Sequence, residues 1–363
     1  MRVSVPNIPA SFLSRTTTPQ VSVTEAVDKL SAFLSSGNVT LLTGAGVSVD
    51  SGIRAYRGQD GRYTNPNYKP ILYHELTADT EKGRAFRQRY WLRSYLGYPS
   101  VRDALPNTTH CALSALQYSG IIPRLITQNV DGLHHKALAM TPSSPVKVHQ
   151  SILELHGTLH RVRCKHGHLV DRNAFQEWLS IANPQWKAFA DEVERTGNQP
   201  RTNPDGDVAI EHLGISYETF VVPDCPSCLM ENRTNNVHKP DLIFFGESIT
   251  EHVRQRSYRD VETADRLLLM GTTLATYSAF RLLKHTLELQ KPVLMVNIGP
   301  SRSDGLEKVE KLDIASRSII RQVVRNVLGT RATEDPIIEK LLNSGISKPP
   351  SADDDDRYPR ATG

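Results

Sequence analysis

The chain is poor in cysteine, in one-sided charge and in long apolar runs, and each shortage excludes a class of protein. Four cysteines among 363 residues cannot staple a disulfide-rich secreted scaffold. Lys and Arg number 43 against 39 Asp and Glu, a formal charge of +4, and so even a balance is no sign of nucleic-acid binding. No stretch approaches the roughly 18 apolar residues that a membrane helix needs, and no secretory apolar region follows Met1. Asp and Glu are missing from residues 1–24, which carry Arg2, Arg15, four Ser and four Thr. That composition fits a mitochondrial presequence. Pro6, Pro9 and Pro19 interrupt any amphipathic helix there, so a plain disordered leader is the alternative.

What is present is an ordinary globular mixture, 39% hydrophobic and 23% charged, which excludes a wholly disordered chain, a collagen and a coiled coil. At about 100–200 residues per domain, the length allows two or three domains, or one with an insertion. Thr24 is a candidate cap for a helix with Ala26, Val27, Leu30, Phe33 and Leu34 on one face. Short apolar runs follow at 39–42, 124–127, 241–245, 266–270 and 292–297, with helical-period stretches such as 107–119 and 276–290 near them. This alternation predicts an α/β fold, a mostly parallel sheet with helices on both faces. Residues 157–236 differ: they hold three of the four cysteines, many turn residues and no long apolar run, and read as a small inserted domain. The predicted division is a leader over 1–24, a discontinuous large domain over 25–156 and 237–330, the insert over 157–236, and a mostly disordered tail over 331–363. Asp353 to Asp356 lie in that tail.

The segment LLTGAGVSVDSGIRAYRG puts Gly44, Gly46 and Gly52 after a strand. Glycines there let backbone approach a pyrophosphate, and a following helix N-terminus offers free N–H groups. The dehydrogenase pattern would need a third glycine where Val49 stands, so a tight turn without a ligand remains the competing reading. Three more strands end in polar residues or glycine: Gln128-Asn-Val-Asp131, Gly271-Thr-Thr273 and Asn297-Ile-Gly299. In open α/β sheets, ligands bind outside the carboxyl ends of the strands. The joint occurrence of four such ends points to a dinucleotide site.

Leu153-Glu-Leu-His156-Gly157 ends an apolar segment on a histidine, the side chain suited to proton transfer near neutral pH. Thirteen histidines are present, and His134, His135, His149 and His160 compete nearby; a hydrogen-bonded structural role is the alternative. Cys225-Pro-Ser-Cys228 has the spacing to turn around one zinc ion. Cys164 is the third candidate, and His166 or His168 the fourth. A metal-free knuckle and a redox pair compete. Cys111 reads as a small buried hydrophobe.

The order of these motifs resembles the sirtuins, NAD-dependent protein lysine deacylases. The resemblance spans about residues 25–330 and rests on GAGVSVDSGIRAYRG, TQNVDGLH, LELHG, Cys164 with Cys225 and Cys228, KPDLIFFGE, GTTL and NIGP. RYWLRSYLGYP and NPDGDV look closest to the class II branch, of the mitochondrial sirtuin four type. The resemblance implies a large Rossmann-like domain, a small zinc-bearing domain and a cleft between them. It implies that Gly44, Ala45, Gly46, Ser48, Tyr56 and Arg57 contact the NAD phosphates and nicotinamide ribose. Gln128, Asn129, Val130 and Asp131 would line the nicotinamide side. Gly271, Thr272, Thr273, Asn297, Ile298, Gly299 and Ser318 would hold the adenosine half. His156 would be the base that takes a proton from a ribose hydroxyl, and Ile243, Phe244, Phe245 and Gly246 would pair with the substrate backbone as an added strand. The zinc would be structural, on Cys164, Cys225, Cys228 and His166, which counting from the following glycine puts in the place of a missing thiolate; His168 stays open.

Implied products are nicotinamide, the freed lysine and an O-acyl-ADP-ribose. Implied partners are acylated-lysine proteins, with neither membrane nor nucleic acid, and the implied location is the mitochondrial matrix, with cytoplasm or nucleus as the alternative. A protein mono-ADP-ribosyltransferase and a non-enzymatic NAD-sensing module are the alternatives. The second draws on a departure: many sirtuins read GIPDxR where this chain has Gly52-Ile-Arg54-Ala55-Tyr-Arg57. Tyr90 and Arg93 have the spacing that puts a phenol and a guanidinium on one helix face. A related branch uses such a pair for acidic acyl chains. The alternative is an ordinary face with Trp91 and Leu92 packed inward.

Overall fold

The computed structural model describes residue 8 and residues 21–56, 70–197 and 216–349. In chain order the strands are β1 (Val39–Thr43), β2 (Arg124–Thr127), β3 (Ile152–Glu154), β4 (Gly157–Cys164), β5 (Leu169–Asp171), β6 (His238–Leu242), β7 (Arg266–Met270), β8 (Val293–Val296) and β9 (Val309–Leu312). The helices that bear on the site are α1 (Val23–Ser35), α2 (Glu81–Arg102), α3 (Thr108–Tyr118), α4 (Leu133–Leu138), α5 (Arg172–Ala182), α6 (Tyr277–Glu288), α7 (Ser316–Leu328) and α8 (Pro336–Asn343).

Six strands form one sheet in the order β3-β2-β1-β7-β8-β9, every neighbour parallel. Burial on both faces is what makes such strands continuous apolar runs. Successive residues serve opposite layers. Leu41, Leu125 and Leu268 pack with Leu30 of α1, Leu113 of α3 and Ile320 of α7. Leu42, Ile126 and Leu269 pack on the other side with Leu282 and Leu283 of α6. The chain leaves β1 toward β2 on one side and returns to β7 on the other, so the carboxyl end of β1 lies at a switch point, where α/β sheets open a crevice. α1 is capped by Ser22, whose hydroxyl accepts from the Glu25 amide at 3.2 Å, so Thr24 stands in the first turn instead of capping it.

A second sheet, β5-β4-β6, is antiparallel. It corrects the expectation that the 241–245 run joins the parallel sheet. β6 is an edge strand that carries Pro240, and an edge is where a sheet tolerates the missing donor of a proline. The small layer therefore reaches Leu242, beyond the expected boundary at 236. Its core also takes Trp91, Leu92 and Tyr95 from α2, packed with Val162, Phe175, Leu179 and Phe220.

The expectation of a mostly disordered segment from 331 is corrected for 331–349. α8 buries Ile338, Leu341 and Leu342 in the large core. The chain after it runs back across the molecule: the Ile346 amide donates to Pro106 O at 3.1 Å and the Lys348 amide to Asp50 O at 2.8 Å. The four aspartates at 353–356 and the NPDGDV segment lie outside the described residues.

Candidate functional site

The carboxyl ends of β1 and β7 meet through backbone contacts that only glycine permits. The Gly44 amide donates to Met270 O at 3.1 Å and the Gly46 amide to Gly271 O at 2.9 Å. A Cβ on Gly44 would lie 2.7 Å from Thr272 Cβ, and one on Gly46 would lie 2.9 Å from Gly271 Cα. The predicted helix after this loop is one 3-10 turn, Ala45–Ser48, so it presents no long helix N-terminus to an anion. Gly46 is exposed on the loop, Tyr56 is 42% exposed, and Arg57 lies outside the described residues.

Gln128 ties the strand ends together. Its Nε2 donates to Thr272 Oγ1 at 2.8 Å and to Thr43 O at 3.2 Å, and its Oε1 accepts from Thr276 Oγ1 at 3.1 Å. Asn129 Nδ2 donates to Gly44 O at 3.1 Å and Ser48 Oγ at 3.0 Å. The Ser48 hydroxyl donates to Asp131 Oδ2 at 2.7 Å, while Asp131 Oδ1 accepts from the Leu133 amide and so starts α4. Ser48, Asn129 and Asp131 are buried. Val130 contributes backbone, its carbonyl accepting from the Leu159 amide at 3.0 Å.

Two residues that the sequence reading did not assign complete this network. His110 Nε2 lies 3.4 Å from Ser48 Oγ, and His134 Nε2 lies 3.0 Å from Thr43 Oγ1. The Ser48 proton is committed to Asp131, so His110 donates from Nε2 and accepts the Asn107 amide on Nδ1. Burial pushes His110 down to about 3, and His134 well below its usual value. Both stay neutral and hold the floor of the site. Their only sequence signal is the placement of a histidine within an apolar helix.

His156 follows β3. Its Nδ1 lies 3.2 Å from Gln128 O and its Nε2 lies 2.8 Å from Ser278 Oγ. A carbonyl only accepts, so Nδ1 carries the proton and the Nε2 lone pair is left as the basic position. Burial pushes the imidazole down to about 4, with the Gln128 carbonyl pulling the other way. The ring is therefore neutral at pH 7. Competing histidines are engaged otherwise: His160 Nε2 on Asp131 O at 2.8 Å, and His135 near Glu154 at 3.6 Å.

At the ends of β7 and β8, the Gly271 amide donates to Val296 O at 3.0 Å, and Thr273 O accepts from the Arg302 amide at 2.9 Å. Asn297 Nδ2 donates to Ile298 O at 3.0 Å, the Gly299 amide donates to Asp313 Oδ1 at 3.2 Å, and the Ile298 side chain is exposed. Ser318 stands in the first turn of α7 with its hydroxyl on Ala315 O at 2.6 Å. Beyond β6, the Ile243 amide donates to His156 O at 2.8 Å, and the Phe244 amide to Glu247 Oε2 at 3.0 Å. Phe245 O accepts from the Tyr73 amide, and Gly246 turns the chain with φ +87°. The Tyr90 ring meets Phe244 edge-on, centroids 5.4 Å apart. Arg93 stands nearly one turn further along α2, while Trp91 and Leu92 are packed fully inward.

Three of the cysteines form a cluster with His168, which corrects His166. Cys164, His168, Cys225 and Cys228 offer four donor atoms all within 4.8 Å of one another. His168 Nδ1 lies 3.5 Å from Cys164 Sγ, 3.6 Å from Cys225 Sγ and 3.4 Å from Cys228 Sγ, and the Cys164 and Cys228 sulfurs are 3.9 Å apart. A tetrahedral zinc with bonds of about 2.3 Å to sulfur and about 2.0 Å to nitrogen sets sulfurs about 3.8 Å apart and sulfur and nitrogen about 3.5 Å apart. The residues fit that ion. Gly167, at φ +93°, turns the chain so that His168 faces the sulfurs. His166 is exposed, with Nδ1 3.3 Å from Arg233 Nη1. Four protein donors leave no open position, which makes this a structural set.

A family model described as the Sir2 family matches residues 44–278. The chain is similar to an NAD-dependent protein deacylase SIR4 of Batrachochytrium dendrobatidis, 38% identical over 313 residues, 84% of this chain and 96% of the relative. It is also 35% identical over 292 residues to the NAD-dependent protein lipoamidase sirtuin-4, mitochondrial, of Bos taurus, 80% of this chain and 82% of the relative. Among solved structures, it resembles a Sir2 homologue in complex with ADP-ribose, with a TM-score of 0.58 and 23% identity over 84% of this chain and 98% of that one. A Sir2 homologue–NAD complex gives a TM-score of 0.55 at 22% identity, covering 83% of this chain and 93% of that one.

Proposed function

The chain belongs to the Sir2 family, and on that premise we propose that it is an NAD-dependent protein lysine deacylase with His156 as its base. The observation that carries this is the state of His156: Nδ1–H fixed on Gln128 O and an Nε2 lone pair available at neutral pH. NAD, when bound, supplies a ribose whose bond to nicotinamide breaks and which then receives the acyl group. The chain's own part is to hold that substrate and move one proton. Gly44, Ala45, Gly46, Ser48, Tyr56 and Arg57 would hold the phosphates and nicotinamide ribose. Gln128, Asn129, Val130 and Asp131 would bound the nicotinamide side. Gly271, Thr272, Thr273, Asn297, Ile298, Gly299 and Ser318 would bound the adenosine. Preset donors and acceptors act on charge developing in the reaction without the cost of reorganising, and the interlocked Gln128, Asn129 and Ser48 network supports that role. His156 Nε2 would receive the proton of a ribose hydroxyl.

The substrate is an acylated lysine of a protein, seated along Ile243 to Gly246 with Tyr90 and Arg93 beside its acyl group. The contact of Tyr90 with Phe244 supports that placement. We take residues 25–156 and 243–349 as the large domain and 157–242 as the small one. The acid-free residues 1–24 and the bovine relative named mitochondrial support a location in the mitochondrial matrix. The test is His156→Ala: deacylation falls about 10²–10⁴-fold, the range for loss of a general base, while NAD still binds. Full activity in the variant would end the assignment.

A further inference from the structure

His156 is held from both ring nitrogens, and the two holds belong to one closed circuit. Gln128 O takes Nδ1–H at 3.2 Å. The side chain of the same Gln128 accepts from Thr276 Oγ1 at 3.1 Å, and Thr276 is the N-cap of α6. Two residues on, in the first turn of α6, the Ser278 hydroxyl lies 2.8 Å from His156 Nε2. The ring thus runs from imidazole to Gln128, to the start of α6, and back to the imidazole.

From this circuit we propose that Ser278 is a positioning residue for His156, its hydroxyl donating to Nε2 so that the ring keeps one tautomer and one plane. The inference rests on the reading of His156 as the base. The proton inventory allows a single arrangement. Nδ1 must donate to the carbonyl, so Nε2 must accept, and the Ser278 hydroxyl must be the donor. In the resting protein that hydroxyl stands where a substrate hydroxyl has to point its own proton. The lone pair is therefore aimed before substrate arrives, and the incoming hydroxyl replaces Ser278 along the same direction. Second partners of this kind fix the tautomer and orientation of functional histidines. Without the hydroxyl, the imidazole is anchored at Nδ1 alone and can tilt about that bond. Misaligned proton transfer lowers turnover more than it lowers binding.

The test compares Ser278→Ala, Ser278→Thr and His156→Ala with the wild type, using NAD and acyl-lysine peptide. In Ser278→Ala we expect kcat to fall about tenfold, what one ordinary hydrogen bond is worth, with KM for NAD within about twofold. Thr restores the hydroxyl and kcat with it. An unchanged or raised kcat in Ser278→Ala, or a Thr variant as slow as Ala with an altered KM, overturns the proposal. A wild type without NAD-dependent deacylation, or an active His156→Ala, overturns the reading beneath it instead. Nitrogen NMR of the imidazole decides the positioning claim independently of turnover. The wild type should show His156 protonated at Nδ1 only, with an Nε2 resonance that moves toward a free lone pair in Ser278→Ala and returns in Ser278→Thr. A proton on Nε2, or a resonance indifferent to Ser278, overturns it.

Discussion

The amide of Gly46 donates to the carbonyl of Gly271 at 2.9 Å, and neither residue has room for a side chain. A Cβ on Gly271 would stand 2.6 Å from the Val47 amide nitrogen, and the residue has φ +60°. The loop after β1 and the loop after β7 are thus locked back to back. Glycines that first read as space for a phosphate are needed for the protein's own packing, with or without a ligand.

Gly271→Ala should push the two loops apart. The left-handed backbone and the overpacking together cost about 2–4 kcal/mol. Calorimetric titration should show NAD affinity reduced by more than about tenfold, since near-ångström displacement of binding groups has that scale of effect. Gly271→Asn separates the causes. Asparagine tolerates the positive φ but keeps the clashing Cβ, so it should be no better than alanine; recovery with asparagine would mean that backbone strain, not space, is the reason for glycine.

The metal prediction turns on two histidines two residues apart. His168→Ala should lose tight metal binding, and His166→Ala should keep about one zinc per chain. Cobalt in place of zinc should give the absorption of a tetrahedral site with three thiolates in the wild type and in His166→Ala, and a weakened one in His168→Ala. Glu231 Oε1 lies 3.1 Å from His168 Nε2, on the side away from the sulfurs. Such a carboxylate orients a ligating imidazole, and Glu231→Gln should loosen zinc by about 10–100-fold in competition with a chromophoric chelator. Equal metal content and affinity in all the variants would contradict the Cys3His assignment.

Stability should fall as the pH drops from 7 to 4.5. Burial holds His110 at about 3, and His135, His156 and His238 at about 4. The unfolded chain binds protons on these groups near pH 6.5, while the folded one does not. The stability they give is present above that value and is lost as pH falls toward the folded values. For fully buried His110 and His238, the loss by pH 4.5 is on the order of 2 kcal/mol each. Glu154, pushed up to about 7 by burial, works in the opposite direction over part of the same range, so the net effect is smaller than the sum over histidines. Denaturant midpoints at the two pH values check this; a midpoint that rises on acidification would contradict it.

β1, β2, β7 and β8 were legible because burial on both faces writes each as an apolar run, as in Leu41-Leu42 and Leu267 to Met270, whereas the edge strand β9, Val309-Glu-Lys-Leu312, has no such run and was missed. β6 was not legible either, because it reads His238-Lys-Pro-Asp-Leu242, and the apolar residues at 243–245 lie past its end. α8 was masked by its surroundings, although Ile337, Ile338, Leu341 and Leu342 have helical spacing. His156 could be singled out from thirteen histidines only through the motif around it; composition and local pattern gave it no advantage over His134 or His160. Choosing His168 over His166 required the left-handed turn at Gly167, a backbone property that glycine permits but does not dictate. The partnership of Ser48 with His110 joins residues 62 positions apart, beyond the reach of any local pattern.

The most direct test of the account is nicotinamide release from NAD, measured against deacylated product over a panel of acyl-lysine peptides that includes acetyl, glutaryl and lipoyl. The account predicts steady-state release that requires an acylated peptide, matches deacylated product one for one, and falls about 10²–10⁴-fold in His156→Ala. Release that continues without any acylated peptide, or no release from protein that still binds NAD, would contradict it.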